Sequence, residues 1–292
     1  MARQQAVAAK AERLLGTAVV ATSPVAGGDV AVATRLRLSS GRSALLKSLT
    51  PAPPHFFRRE AEGLALLRST TATGGVATPD VLAVDDECLV LDWVETGRPT
   101  ADAATRFGRA LATTHAAGAT QLGGSFGAEH DGYIARLPLP NRPLPTWAEF
   151  HAERRIAPYL KVLRDKRLIA PADADAVERA AARTGEIVPV EPPALLHGDL
   201  WNGNVLWTTD ERAVVIDPAV HLGHREVDLA MLGLFGLPQL AQVIEAYQEV
   251  SPLADGWEDR LAFHQLFPLL VHACLFGGRY AARAGDLARR YL

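Results

Sequence analysis

Apolar positions along the chain change period several times, and each change marks an element boundary. Between Gln4 and Leu15, Val7 and the pair Leu14-Leu15 fall on one side, which predicts a short amphipathic helix. The period then becomes two. Val30, Val32, Thr34, Leu36 and Leu38 alternate with Ala31, Ala33, Arg35 and Arg37, the pattern of a half-buried strand. Ser39-Ser40-Gly41-Arg42 reads as a turn, and Ser43 to Lys47 as the returning strand of a hairpin. Pro51, Pro53 and Pro54 break the chain before a helix predicted from Phe56 to Arg68. Short strands are predicted at Val81–Val84 and Cys88–Trp93.

From Asp102 the period becomes helical, with Ala104, Phe107, Leu111 and His115 on one face. Thr146-x-x-Glu149 reads as a capping box opening a helix that carries Trp147 and Phe150. A further helix is expected to start at Asp173 or Asp175 and to end at Gly185. The apolar runs Leu195-Leu196 and Val214-Val215-Ile216 read as strands, and the chain after Glu226 as helical, with loops near Pro238, Pro252 and Gly277-Gly278. The expectation is an α+β protein. An antiparallel sheet lobe with one internal helix spans residues 1–94, and a mainly helical lobe spans residues 95–292. Clefts between such lobes are common ligand sites.

Composition narrows the classes. With 48% hydrophobic and 22% charged residues, the chain can build its core without disulfides or metals. Cys88 and Cys274 lie in apolar stretches and read as buried thiols in a reducing compartment. A net charge of −3 supplies no basic field for nucleic acid. No apolar run suits a membrane span, and the N-terminus lacks a signal-peptide core, so a cytoplasmic location is expected. Oligomeric state is left open.

The strongest local signal is His197-Gly198-Asp199-Leu200-Trp201-Asn202-Gly203-Asn204, just after one predicted strand. A second strand, Val214-Val215-Ile216, ends directly in Asp217. An Asp followed five residues later by Asn, with a second Asp after the next strand, is the arrangement of the protein-kinase catalytic loop and its metal ligand. Phosphoryl transfer from ATP needs a carboxylate to orient the acceptor hydroxyl and take its proton, here Asp199. It also needs hard oxygen ligands for Mg²⁺, here Asn204 and Asp217. Alone, Asp199 and Asn204 read as turn formers and Asp217 as the end of a strand, but together, at these offsets behind two strands, they point to a kinase.

Lys47, ending the second hairpin strand, is the expected partner of ATP phosphates and of a helix carboxylate, with Glu60 preferred over Glu62. The alternative for each is a solvated surface charge. Gly27-Gly28-Asp29 would let backbone N–H groups approach phosphates, although it matches neither G-x-G-x-x-G nor a Walker motif. Asp92, Trp93 and Val94 form the segment between lobes whose backbone is expected to meet adenine. The nine histidines show no spacing of a zinc site, so packed or surface roles are expected for them. No G-x-S-x-G supports a serine hydrolase.

These segments resemble the fructosamine-3-kinase (ketosamine-3-kinase) family. The resemblance rests on the catalytic stretch above, Gly27-Gly28-Asp29, Tyr133-Ile134 and Leu137-Pro138-Leu139-Pro140-Asn141. It also rests on Asp217-Pro218-Ala219, Gly223-His224-Arg225-Glu226-Val227-Asp228-Leu229-Ala230-Met231 and Leu275-Phe276-Gly277-Gly278. Choline and aminoglycoside kinases share the broader scheme and supply the alternative reading, usually without the Trp or the R-E-V-D-L-A-M run. The resemblance implies a protein-kinase-like two-lobe fold and ATP-dependent phosphorylation of a ketosamine at its 3-hydroxyl. The acceptor would be a small-molecule adduct or a glycated protein lysine. The resemblance also implies Asp199 as catalytic residue, Asn204 and Asp217 as metal ligands, and Lys47 with Glu60 at the phosphates. Asp228, with His197, is expected to brace the catalytic loop, and Trp201 and His224 to meet the acceptor. For Trp201 a packed core position is the competing reading. Val30-Ala31 and Val220-His221 depart from the family pattern, and no cysteine lies in the glycine loop.

Overall fold

The computed structural model describes residues 2–26, 30–119 and 121–292. Helix α1 (Ala2–Leu15) precedes strands β1 (Val19–Pro24), β2 (Val32–Leu38) and β3 (Ser43–Ser48). Helix α2 (Phe56–Ser69) then intervenes before β4 (Val81–Val84) and β5 (Cys88–Asp92). The five strands form one antiparallel sheet in the order β1-β2-β3-β5-β4.

Alternation decides what each face of this sheet touches. Leu36, Leu38, Ala44, Leu46, Cys88 and Val90 pack against Ala11 and the apolar side of α1. The opposite face presents Leu45, Leu89 and Leu91 to Phe57, Ala61 and Leu64 of α2. Two helices therefore flank the sheet, the N-terminal α1 and the internal α2, as the pattern along the chain leads one to expect. Because Lys47 follows Leu45 by two residues, it shares the α2 face.

The sequence pattern misses β1. It is an edge strand bonded only to β2, half or fully exposed along its length, with a register shift between Val19 and Ala21, so burial imposes no clean alternation.

Helix α3 (Ala101–Ala116) carries the predicted face of Ala104, Phe107, Leu111 and His115, all buried. The hairpin β6 (Gly132–Ile134) and β7 (Leu137–Leu139) follows. Thr146 Oγ1 accepts from Glu149 N at 3.2 Å and opens α4 (Trp147–Phe150). The helix then widens into a π-helical turn (His151–Ile156) before α5 (Ala157–Asp165).

Helix α6 (Pro171–Ala182) starts two residues before Asp173, because Pro171 is preorganised for the first turn. Gly185 lies inside the short α7 (Thr184–Ile187) instead of ending α6. Four three-residue strands come next: β8 (Ala194–Leu196), β9 (Val205–Trp207), β10 (Ala213–Val215) and β11 (His221–Gly223). They pair as β8 with β11 and β9 with β10. Segments this short show no period, which hides β6, β7, β9 and β11 from sequence reading. Helices α8 (Glu226–Leu234), α9 (Leu240–Val250), α10 (Trp257–His264), α11 (Leu266–Phe276) and α12 (Tyr280–Ala288) complete the chain.

Helices α3 and α9 pack closely, since a Cβ on Gly108 would lie 2.2 Å from Val243 O. Cys88 and Cys274 are free thiols. No helix among the described residues is long and apolar enough to cross a membrane.

Candidate active site

The loop between β8 and β9 is held from behind by Asp228, which is fully buried near the start of α8. Its carboxylate accepts the backbone N–H of His197 at 2.8 Å and of Gly198 at 3.0 Å. His115 Nε2 lies 3.2 Å from the same group, and Tyr247 OH 2.9 Å from His115 Nδ1. Gly198 has φ 82°, and a Cβ there would sit 2.2 Å from Ala219 O, so the loop needs glycine at this position.

His197 couples the two acidic segments. Its Nδ1 accepts from Asp199 N at 3.2 Å, and its Nε2 donates to Ile216 O at 2.9 Å. Backbone N–H can only donate and carbonyl only accept, so these bonds select the neutral Nε2–H tautomer. Burial also lowers the His197 pKa, which keeps the ring neutral. Ile216 N in turn donates to Asn204 O at 3.1 Å.

Asn204 Nδ2 donates to Asp199 O at 2.8 Å and to Asp199 Oδ2 at 3.3 Å. Its amide nitrogen is thus committed to Asp199, and its oxygen is left to accept. Asp217 follows β10 in the left-handed region at φ 55°, a conformation that Asp tolerates better than most residues. Burial pushes the Asp199 carboxyl up to about 7, with the negative charges of Asp217 and Asp228 adding to the shift and Asn204 opposing it. A carboxylate poised near neutrality is suited to general-base work.

Lys47 reaches this group from the sheet. Its ammonium lies 2.5 Å from Glu60 Oε1 on α2 and 2.8 Å from Asp217 Oδ1. Lys47 is only 8% exposed, which rules out a solvated surface charge. Burial alone would lower its pKa, but the two carboxylates outweigh that and hold it above the ordinary lysine value. Helix α2 sits hard against the segment that follows Asp217, since a Cβ on Gly63 would approach Val220 Cγ2 to 3.1 Å.

Lys47, Glu60, Asp199, Asn204 and Asp217 all line one cleft of about 1030 Å³. Asp92, Trp93 and Val94 line it too. Asp92 N donates to Asp80 O at 2.8 Å and Trp93 N to Ser43 O at 3.3 Å. Arg35 lies over the Trp93 ring at 4.2 Å. Gly27, Gly28 and Asp29 lie outside the described residues; their neighbours Val25, Ala26, Val30 and Ala31 line the cleft.

Trp201 is half-buried. It lines the cleft, while its ring packs edge-on to Phe235 at 5.9 Å and covers Gly203. His224 does not match the acceptor-site expectation. It is 1% exposed and absent from the cleft lining, because the chain turns inward after β11. Its ring stacks on His264 at 5.2 Å, with Glu226 close by. Sequence spacing could not foresee the meeting of His224 and His264, which lie on separate elements. The cluster is a poor cation site, since Arg260 already contacts the Glu226 oxygens at 2.6 and 2.9 Å. His221 lines the cleft instead, as do Tyr133 and Asn141. Sequence reading marked His221 only as a departure from the family pattern and gave Tyr133 and Asn141 no role, although both stand in stretches that carried the resemblance.

Known proteins give a consistent picture. Residues 3–292 match the family profile described as Fructosamine kinase. A Thermobifida fusca crystal structure assigned as a fructosamine-3-kinase superposes with TM-score 0.90 at 47% identity, covering 97% of both chains. The chloroplastic protein-ribulosamine 3-kinase of Arabidopsis thaliana is 30% identical over 94% of this chain and 84% of its own length. A macrolide 2'-phosphotransferase type I shares the fold, with TM-score 0.66 at 18% identity over 98% of this chain and 96% of its own. With its two-lobe kinase fold and a match along nearly its whole length, the chain belongs to the fructosamine kinase family.

Proposed function

We propose that this protein transfers the γ-phosphate of ATP to the 3-hydroxyl of a ketosamine, with Asp199 as general base. The observation that carries the reading is the convergence of Asp199, Asn204, Asp217, Lys47 and Glu60 in one cleft. In this mechanism Asp199 accepts the hydroxyl proton as the acceptor oxygen bonds to the γ-phosphorus and ADP leaves with the bridging oxygen. Lys47, aligned by Glu60, holds phosphate oxygens. Asp92, Trp93 and Val94 offer their backbone to adenine. The N–H groups of Asp92 and Trp93 are already engaged, so their carbonyls and the Val94 N–H are the groups assigned to the base. Gly27, Gly28 and Asp29 remain the proposed phosphate loop.

Asn204 and Asp217 fit Mg²⁺ by their chemistry, since both line the cleft and an amide oxygen and a carboxylate are hard donors, the Asn204 amide nitrogen being the end engaged by Asp199. When bound there, the cation would neutralise phosphate charge. Trp201 is the proposed stacking surface for the acceptor, and His197 and Asp228 act through the loop they brace.

The acceptors proposed are fructosamine or ribulosamine adducts of small amines or protein lysines. As the family resemblance implies, loss of the 3-phosphate would free the amine, giving deglycation. A reducing, cytoplasmic setting belongs to the same reading and agrees with two free thiols. The test is ADP release with ribulosamine, fructosamine and erythrulosamine of one common amine, in competition with a kanamycin-type compound and choline. Preferential phosphorylation of the antibiotic or of choline would sink the ketosamine assignment and leave the kinase chemistry standing.

A further inference from the structure

Arg155 is 1% exposed, yet its hydrogen-bond acceptors are uncharged. Its Nη1 donates to Pro140 O at 2.6 Å and to Arg154 O at 3.3 Å, and its Nη2 to Asn141 Oδ1 at 2.6 Å. The guanidinium lies over the Phe150 ring at 4.5 Å. Burying a cation this way is costly, and burial pushes the Arg155 pKa down to about 9. The residue comes from the π-helical turn His151–Ile156, a local departure from α geometry that often accompanies functional sites.

The cation grips the back of one wall of the cleft. Arg155 holds Pro140 and Asn141, and Tyr159 OH donates to Pro138 O at 2.9 Å. Asn141 is fixed further by its N–H on Asp131 Oδ1 at 2.6 Å and by its carbonyl, which accepts Ala128 N at 2.8 Å. Asn141 itself lines the cleft. Arginine has only donors to offer. A flipped Asn141 amide would set its NH₂ against those donors, so the bond dictates which end of the amide faces away from Arg155. That end is Nδ2, with two hydrogens suited to hydroxyl oxygens.

We propose that Asn141 recognises a sugar hydroxyl of the acceptor through Nδ2, and that Arg155 is the positioning residue that locks the amide in this orientation. The assignment rests on the ketosamine-kinase reading above. It names a polyol contact within that site, made by a wall separate from the Asp199 loop.

The decisive variant is Asn141→Asp. It keeps an oxygen for Arg155, indeed supplies a carboxylate, so folding is retained, while the donor end of the side chain is lost. Measured with a ketosamine and its single-deoxy analogues, N141D is expected to raise the acceptor KM about 10-fold, the loss of one hydrogen bond in a desolvated site, with the KM for ATP unchanged. The penalty should vanish for the analogue lacking the contacted hydroxyl. Arg155→Lys, which cannot fork between Pro140 and Asn141, should move the acceptor KM the same way. An N141D enzyme with wild-type acceptor KM on every ketosamine, or with equal losses for acceptor and ATP, overturns the assignment. Wild-type protein inactive on all ketosamines overturns the functional reading itself, which the first comparison keeps distinct.

Discussion

Replacing Asp199 by Asn should abolish turnover and, at the same time, make the protein more stable. The carboxyl sits at about 7 in the folded protein because burial, then Asp217 and Asp228, disfavour its charge. In the unfolded chain it returns to its ordinary value of 3.8. A folded-state pKa above the unfolded one means that the stability present below about 3.8 is lost as pH rises through about 7. Each unit corresponds to about 1.4 kcal/mol, so roughly three units amount to about 4 kcal/mol at pH 8. Water in the cleft screens part of this, and about 2 kcal/mol is a fair expectation. For a chain of this size that is about 4 °C in Tm. Differential scanning calorimetry of wild type and D199N across pH 4–8 reads it directly. The variant should melt higher at pH 8, and its advantage should shrink below pH 7 and vanish near pH 4. Turnover should fall by ~10²–10⁴-fold, the usual worth of a general base. A D199N protein that melts at or below wild type at pH 8, or whose difference ignores pH, would refute the claim that Asp199 is a strained, desolvated base.

Four further outcomes follow from the same geometry. The acid limb of kcat/KM should lie near pH 7 rather than near 4, since Asp199 must be ionised to accept a proton; a flat profile between pH 5 and 8 would contradict this. Lys47→Ala should lose both ATP use and stability, because its ammonium is buried between Glu60 and Asp217; breaking such a pair typically costs about 3–5 kcal/mol, and an unchanged urea midpoint would return Lys47 to a minor role. Activity should require Mg²⁺ or Mn²⁺ and should not be restored to Asp217→Ala by excess metal, which a metal titration of EDTA-treated protein decides. Trp201→Ala should raise the KM of the acceptor more than that of ATP, and equal changes would reduce Trp201 to its packing against Phe235.

The elements that could be read along the chain are those whose burial imposes a period. Alternation marks Val32–Leu38 because Leu36 and Leu38 are buried on the α1 face while Arg35 and Arg37 on the other face are more exposed, and a three-to-four spacing marks α3 because one side of it is buried. The edge strand β1 and the three-residue strands β6, β7, β9 and β11 lack that constraint and could not be seen, while β8 and β10 showed only as short apolar runs. Among candidate site residues, Asp199, Asn204 and Asp217 stood out because loop chemistry and strand ends keep their spacing local. Lys47 and Glu60 were legible from strand and helix position, but their ion pair, and its contact with Asp217 170 residues away, exists only once the lobes meet. Burial was decided by tertiary structure alone. It set Asp199 near 7, placed Lys47 out of water and carried His224 into a histidine cluster away from the cleft. It also brought Arg155 behind Asn141, a pairing made by a π-helical turn that no periodicity in the residues announces. Spacing along the chain fixes which groups can act. Desolvation and long-range packing, which depend on every neighbour at once, decide their charge and the direction in which they point.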